Sequence, residues 1–141
     1  MRQEKETLSS AATELEQLLA QKGHPVVIWA GRLARTLVGV EQAIRRHDAA
    51  LESPEGEFIE VDSGQWPSQG MSRRVERLQG DLTGLLIETV ALRGLAQRAS
   101  EDDFAELRQR GAALVEALER YGQDEARLIM ESVTTDIGAG D

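Results

Sequence analysis

Residues 25–51 read PVVIWAGRLARTLVGVEQAIRRHDAAL. Val26, Ala30, Leu33, Leu37, Val40, Ile44, His47 and Leu51 recur at alternating steps of four and three, the period of one face of an α-helix. Arg32, Arg35, Arg45 and Arg46 fall on the opposite side, as a solvated face requires. Pro25 suits the first turn of a helix, where its missing N–H costs nothing. A stripe this narrow cannot leave water alone, so the helix needs neighbours.

The flanking sequence supplies them. About 5–22 places Leu8, Ala11, Leu15 and Leu18 on one face and ends at Lys22-Gly23, a cation before a left-handed cap. About 71–99 repeats the pattern with Val75, Leu78, Leu82, Leu85, Thr89, Leu92, Ala96 and Ala99. About 101–133 is opened by Ser100 with Glu101, Asp102 and Asp103 behind it, an amide cap followed by acids that complement the helix dipole. Its stripe is Phe104, Leu107, Gly111, Leu114, Leu118, Tyr121, Glu125 and Leu128. Between the second and third helices, 52–70 holds Pro54, Gly56, Gly64, Pro67 and Gly70 and reads as an irregular loop. In that loop Phe58, Ile59 and Val61 suit a short extended piece, and Trp66 a place over a bundle end. Short connections after the first and third helices favour antiparallel neighbours. The expectation is an all-α fold, an up-and-down antiparallel four-helix bundle, with one domain over 1–141.

Composition narrows the function classes. The 141 residues carry 16 Lys and Arg against 25 Asp and Glu, a formal charge of −9, which argues against nucleic acid or an anionic membrane surface as partner. The first residues, Met-Arg-Gln-Glu-Lys-Glu-Thr, do not read as a signal peptide, and no apolar run reaches the roughly 18 residues of a membrane helix. No cysteine is present, which excludes thiol catalysis and thiolate metal sites and fits a reducing compartment, so a cytoplasmic location is expected. Arg73, Arg74 and Arg77 form a basic patch expected to neutralise the acidic stretch 52–62. The Gly138–Asp141 tail lacks the spacing of a calcium loop and reads as a frayed terminus.

The informative positions are polar residues on inward stripes. His47 sits on the second, and Tyr121 and Glu125 sit one above the other on the fourth. A carboxylate facing a core must be paired, protonated or bound to a cation. Each residue also has a plain structural reading. His47 would be a hydrogen-bonded histidine near a helix end, Tyr121 a core ring with its hydroxyl on a partner, and Glu125 a group at the wet edge of its stripe or the acceptor of a bond from an Arg or Tyr.

These residues together resemble the hemerythrin-like (HHE) domains, four-helix bundles that hold two irons with inward His and acidic residues. The similarity is to a bacterial branch whose second helix ends in a Leu-x-x-His-Phe-x-x-Glu-Glu motif. Here that stretch is Ile44-Arg45-Arg46-His47-Asp48-Ala49-Ala50-Leu51-Glu52, which keeps His47 and, of the two glutamates, Glu52. Gly80 or Asp81 stands where the branch has a third-helix histidine, and Tyr121-Gly122-Gln123-Asp124-Glu125 replaces His-x-x-x-Glu. The chain has only two histidines, the other being His24 in a turn beside Pro25, so the resemblance implies a bundle without the classical diiron centre. It leaves His47, Glu52, Asp81, Tyr121 and Glu125 as the metal candidates of a reduced, vestigial set. No cofactor is expected, and iron is the alternative. Three functions follow: a non-catalytic module that binds a protein partner or a second copy of itself; an iron or dioxygen binder or sensor; and an enzyme with an acid–base pair at Tyr121 and Glu125.

Overall fold

The computed structural model describes the backbone of residues 7–52 and 69–139 and the side chains of 7–51 and 73–131. Four helices account for it: α1 Leu8–Ala20, α2 Val26–Glu52, α3 Gln69–Gln97 and α4 Phe104–Ala139, the last preceded by a single 3-10 turn, Glu101–Asp103. Each helix packs against two others in a closed ring, α1 and α3 both lying between α2 and α4. This is the all-α four-helix bundle that the stripes require. No strand occurs among the described residues.

The stripes become the core. Leu15, Leu33, Leu37, Leu92 and Leu107 are wholly enclosed, with Ile44, Leu82, Leu114 and Thr89 beside them. Thr89 satisfies its hydroxyl without leaving the helix, donating to the Leu85 carbonyl at 2.7 Å. Ala12, Leu19, Trp29, Ala34, Ala43 and Val115 join the core from outside the expected stripes. Trp29 is 1% exposed, packs edge-on against Phe104 with ring centroids 5.0 Å apart, and donates its indole N–H to the Leu18 carbonyl at 3.2 Å. That bond satisfies a carbonyl in the last turn of α1 and ties it to α2.

The helix ends differ from expectation in ways local chemistry explains. Thr7 caps α1 by accepting the Ser10 amide at 3.1 Å, so the helix begins at Leu8 rather than at 5. It ends at Ala20, because Gln21 is already extended (ψ 143°), and Gly23 takes the left-handed φ of 87° as a turn residue rather than as the cap. Pro25 stands just outside α2, its carbonyl accepting the Trp29 amide at 3.0 Å. α2 runs one residue past 51. α3 starts at Gln69 rather than 71 and ends at Gln97 rather than 99. Asp103 accepts the Ser100 amide at 2.9 Å, half of a capping box, before α4 proper begins at Phe104. α4 passes 133 and continues to Ala139, so the tail through Gly138 is helical rather than frayed. Phe58, Ile59, Val61 and Trp66 lie outside the described residues.

The four rods differ in length. At 1.5 Å per residue α1 spans about 20 Å, α2 and α3 about 40 Å and α4 about 54 Å. α1 is anchored at one end of the bundle, where Leu18 meets Trp29 and Leu19 lies against Gly111. From that level α1 reaches back only to Leu8. Beyond it, among the described residues, α2, α3 and α4 alone enclose the interior.

Helix contacts are bridged by ions at the surface. Glu41 of α2 receives Arg93 of α3 at 2.6 Å and Arg45 one turn along its own helix at 3.1 Å. Arg110 of α4 pairs with Glu88 of α3 at 3.1 Å. Arg74 of the basic patch pairs with Glu131 of α4, and the side chains of the acidic stretch 52–62 lie outside the described residues. Partly exposed pairs of this kind contribute up to about 1 kcal/mol each, so apolar burial holds the bundle.

Two glycines of α4 test the packing. A Cβ at Gly111 would stand 2.8 Å from a Leu19 methyl, whereas one at Gly122 would meet nothing within 4 Å. Gly122→Ala should stabilise the chain by about 0.5–1 kcal/mol through backbone entropy. Gly111→Ala should forfeit that gain, because Leu19 must leave its rotamer at a cost of about 1–3 kcal/mol. Thermal melting of the two variants against the parent checks the difference.

Candidate functional site

The polar residues of the inward stripes meet in the section that α1 does not reach. From Trp29 to His47 is about 27 Å along α2, and from Leu18 back to Leu8 only about 15 Å along α1. His47 and Glu125 therefore face one another from diagonal helices past the end of α1. Nε2 of His47 lies 2.7 Å from Oε2 of Glu125, a hydrogen bond between the imidazole and the carboxyl group. The side chains are 28% and 17% exposed, so the pair is partly screened from water. The Tyr121 ring stands edge-on to the His47 ring, centroids 5.7 Å apart. Three side chains chosen from periodicity alone thus form one cluster.

Tyr121 is 2% exposed, and its hydroxyl has no hydrogen-bond partner among the described residues. A core tyrosine is expected to bring its hydroxyl to a partner, and here it does not. Burial pushes its ionisation well above the ordinary value of about 10, and the carboxylates of Glu125, Asp48 and Asp81 push it the same way. The phenol is held neutral. The hydroxyl is enclosed, while the Tyr121 ring lines a groove between α3 and α4.

The remaining candidates do not join the cluster. Asp81 lies on α3, exposed, along a groove between α3 and α4 that Tyr121 also lines. Its charge reaches the phenol, but it makes no ion pair with a described residue. Glu52 is the last residue of α2, and its side chain lies outside the described residues. Asp48 of α2, absent from the metal candidates, also acts on Tyr121. Its signal was its place beside His47, weak because adjacent residues of a helix face different ways. The other histidine, His24, lies far along the chain in the α1–α2 turn, its Nε2 3.4 Å from Arg32.

Among the described residues no group of three or more His, Asp and Glu side chains converges where a cation would sit. One imidazole, one carboxylate already bonded to it and a neutral phenol do not fit a pair of irons, which needs several nitrogen and carboxylate donors around each metal. What this arrangement does chemically is join α2 to α4. It places a carboxylate in a half-dry interior and satisfies it there. Among the described residues no helix is long and apolar enough to cross a membrane.

The two polar features respond differently to substitution. Removing either partner of the pair leaves the other half-buried and unsatisfied, so His47→Leu and Glu125→Leu should each cost about 1–3 kcal/mol. The double variant should cost less than their sum, and a double-mutant cycle in urea reads the coupling. Tyr121→Phe removes an unpartnered hydroxyl and should be neutral or stabilising. Tyr121 is the chain's only tyrosine, so alkaline titration of its absorbance reads one group. The folded protein should show no phenolate near pH 10, and stability should fall as pH rises beyond that, because only the unfolded chain then releases the proton.

No protein-family model matches this chain, and neither a curated protein nor a solved structure does.

Proposed function

We propose that this chain is a non-catalytic interaction module, a four-helix bundle of hemerythrin-like descent whose interior has given up a metal pair for a direct contact between helices. The single observation that carries this reading is the 2.7 Å approach of His47 to Glu125. The two inward side chains best suited to hold a metal satisfy one another, and the neutral Tyr121 beside them adds no anionic donor. A bundle whose interior groups are engaged with one another acts through its outer faces, on a protein partner or on another copy of itself. Its net charge of −9 disfavours nucleic acid and anionic lipid, and the absence of cysteine suits the bacterial cytoplasm.

A second reading, an iron or dioxygen binder with a reduced ligand set, takes its support from the unpartnered Tyr121 hydroxyl beside the pair. Metal analysis separates the two. Protein produced in iron-rich medium should carry far less than one iron per chain and show no visible absorption band. Stoichiometric iron that is lost in Glu125→Gln would overturn the interaction-module reading and favour the second.

A further inference from the structure

Charge sets the outward face of α2 apart from the rest of the surface. Ile28, Arg32, Arg35, Gly39, Gln42 and Arg46 recur at steps of four and three, opposite the enclosed Leu33, Leu37 and Ile44. They form one line along the helix, about 27 Å from Ile28 to Arg46. Arginine fills half of these positions and no acid stands among them, in a chain whose formal charge is −9. The acids of α2 are turned elsewhere, Glu41 onto Arg93 of α3 and the half-buried Asp48 within electrostatic reach of Tyr121. Along α3 and α4, by contrast, acids alternate with the arginines, and Arg74, Arg110 and Arg127 are each answered by a carboxylate. Arg32, Arg35 and Arg46 make no ion pair with a described residue, and Arg32 approaches only the His24 ring, at 3.4 Å. At the head of the line stand Val27 and Ile28, 68% and 51% exposed.

An unanswered row of cations attracts an anionic partner, and the layout of the row selects among such partners. A nucleic acid or an anionic bilayer carries charge far beyond the row, so either would press against the acidic remainder of the chain. A nucleic-acid backbone also offers nothing to Val27 and Ile28. A short acidic protein segment covers the row alone and brings an apolar side chain to the end that needs one. The steps of four and three along the row are those of a helix seam, which a second helix lying along α2 matches. Such a helix presents two carboxylates a turn apart to Arg32 and Arg35 and a third about 16 Å further on to Arg46.

We propose that the outward face of α2 is a docking surface for an acidic helical segment of another protein, with carboxylates on Arg32, Arg35 and Arg46 and an aliphatic side chain against Val27 and Ile28. The inference rests on the reading of the chain as an interaction module and names the chemistry of its partner. Covering the two aliphatic groups supplies affinity, and the guanidinium–carboxylate contacts set the register and speed the encounter.

Fluorescence anisotropy with the full chain tests it. The probe is a fluorescein-labelled synthetic helix of about 20 residues that carries glutamate at the three positions and leucine at the aliphatic one. The parent should bind it, and added salt should weaken the binding. Arg32→Glu combined with Arg35→Glu should weaken it about tenfold or more. The helical circular-dichroism spectrum should not change, since both side chains are exposed. Ile28→Ser should weaken binding severalfold without altering its salt dependence. Arg73→Glu combined with Arg77→Glu, in the basic patch of α3, should leave it intact. A parent that does not bind the probe overturns the proposal, as does a loss of binding in the α3 variant equal to that in the α2 variant. So does tighter binding of duplex DNA or phosphatidylserine vesicles than of the probe, lost in the α2 variant. None of these outcomes bears on the iron measurement, so the failure of this docking face and the failure of the interaction-module reading are told apart.

Discussion

Four stripes of apolar side chains, each about a third of its helix surface, have to be removed from water together, and the ring of α1 to α4 is how this chain does so. Leu15, Leu33, Leu92 and Leu107, one from each helix, are all wholly enclosed. No helix could bury its stripe against a single neighbour, which is why the packing closes into a ring. Everything polar in the interior is tolerated only to the extent that this burial places it beside a group that satisfies it.

The unequal lengths of the rods give that constraint its particular form. α1 has 13 residues and its ring neighbours have 27 and 36. The section beyond Leu8 has three described helices around an interior built for four. There the stripes of α2 and α4 change from leucine and valine to His47, Tyr121 and Glu125. An imidazole bonded to a carboxylate spans the diagonal that aliphatic side chains would have to fill, and its partial exposure eases the desolvation cost of the charge. Tyr121 sits on the dry side of the pair, where burial and three nearby carboxylates keep its proton in place. The outer face of α3 and α4 carries the complementary irregularity, glycines and alanines where a longer side chain would cover the backbone. The interior cluster and this outer face share α4, where Tyr121 belongs to both.

Much of this was legible from spacing. Of the eight stripe positions on α2, all but Val26 and His47 are buried, and His47 was marked as the polar exception. Thr89 and Tyr121 were placed inward by period alone, and both are buried. Trp29 escaped because it lies next to Ala30 at the edge of the stripe, where a large ring reaches the core from a position that a smaller side chain would leave outside. The ends were less legible than the middles. Thr7, Pro25 and Ser100 announce a start, but the residue at which a helix stops depends on bonds such as that from Trp29 to the Leu18 carbonyl, made across elements.

The sequence by itself determined that four amphipathic helices exist, which face of each turns inward, and that His47, Tyr121 and Glu125 share that interior. Period and side-chain chemistry are local properties, readable one helix at a time. Only the tertiary structure decided that His47 and Glu125 touch, that the Tyr121 hydroxyl is left without a partner, that Arg74 answers to Glu131, and that Gly80 and Gly84 line a groove with Ala113 and Ala117. Those outcomes depend on the relative height of the rods, which the whole core sets at once and no single helix encodes.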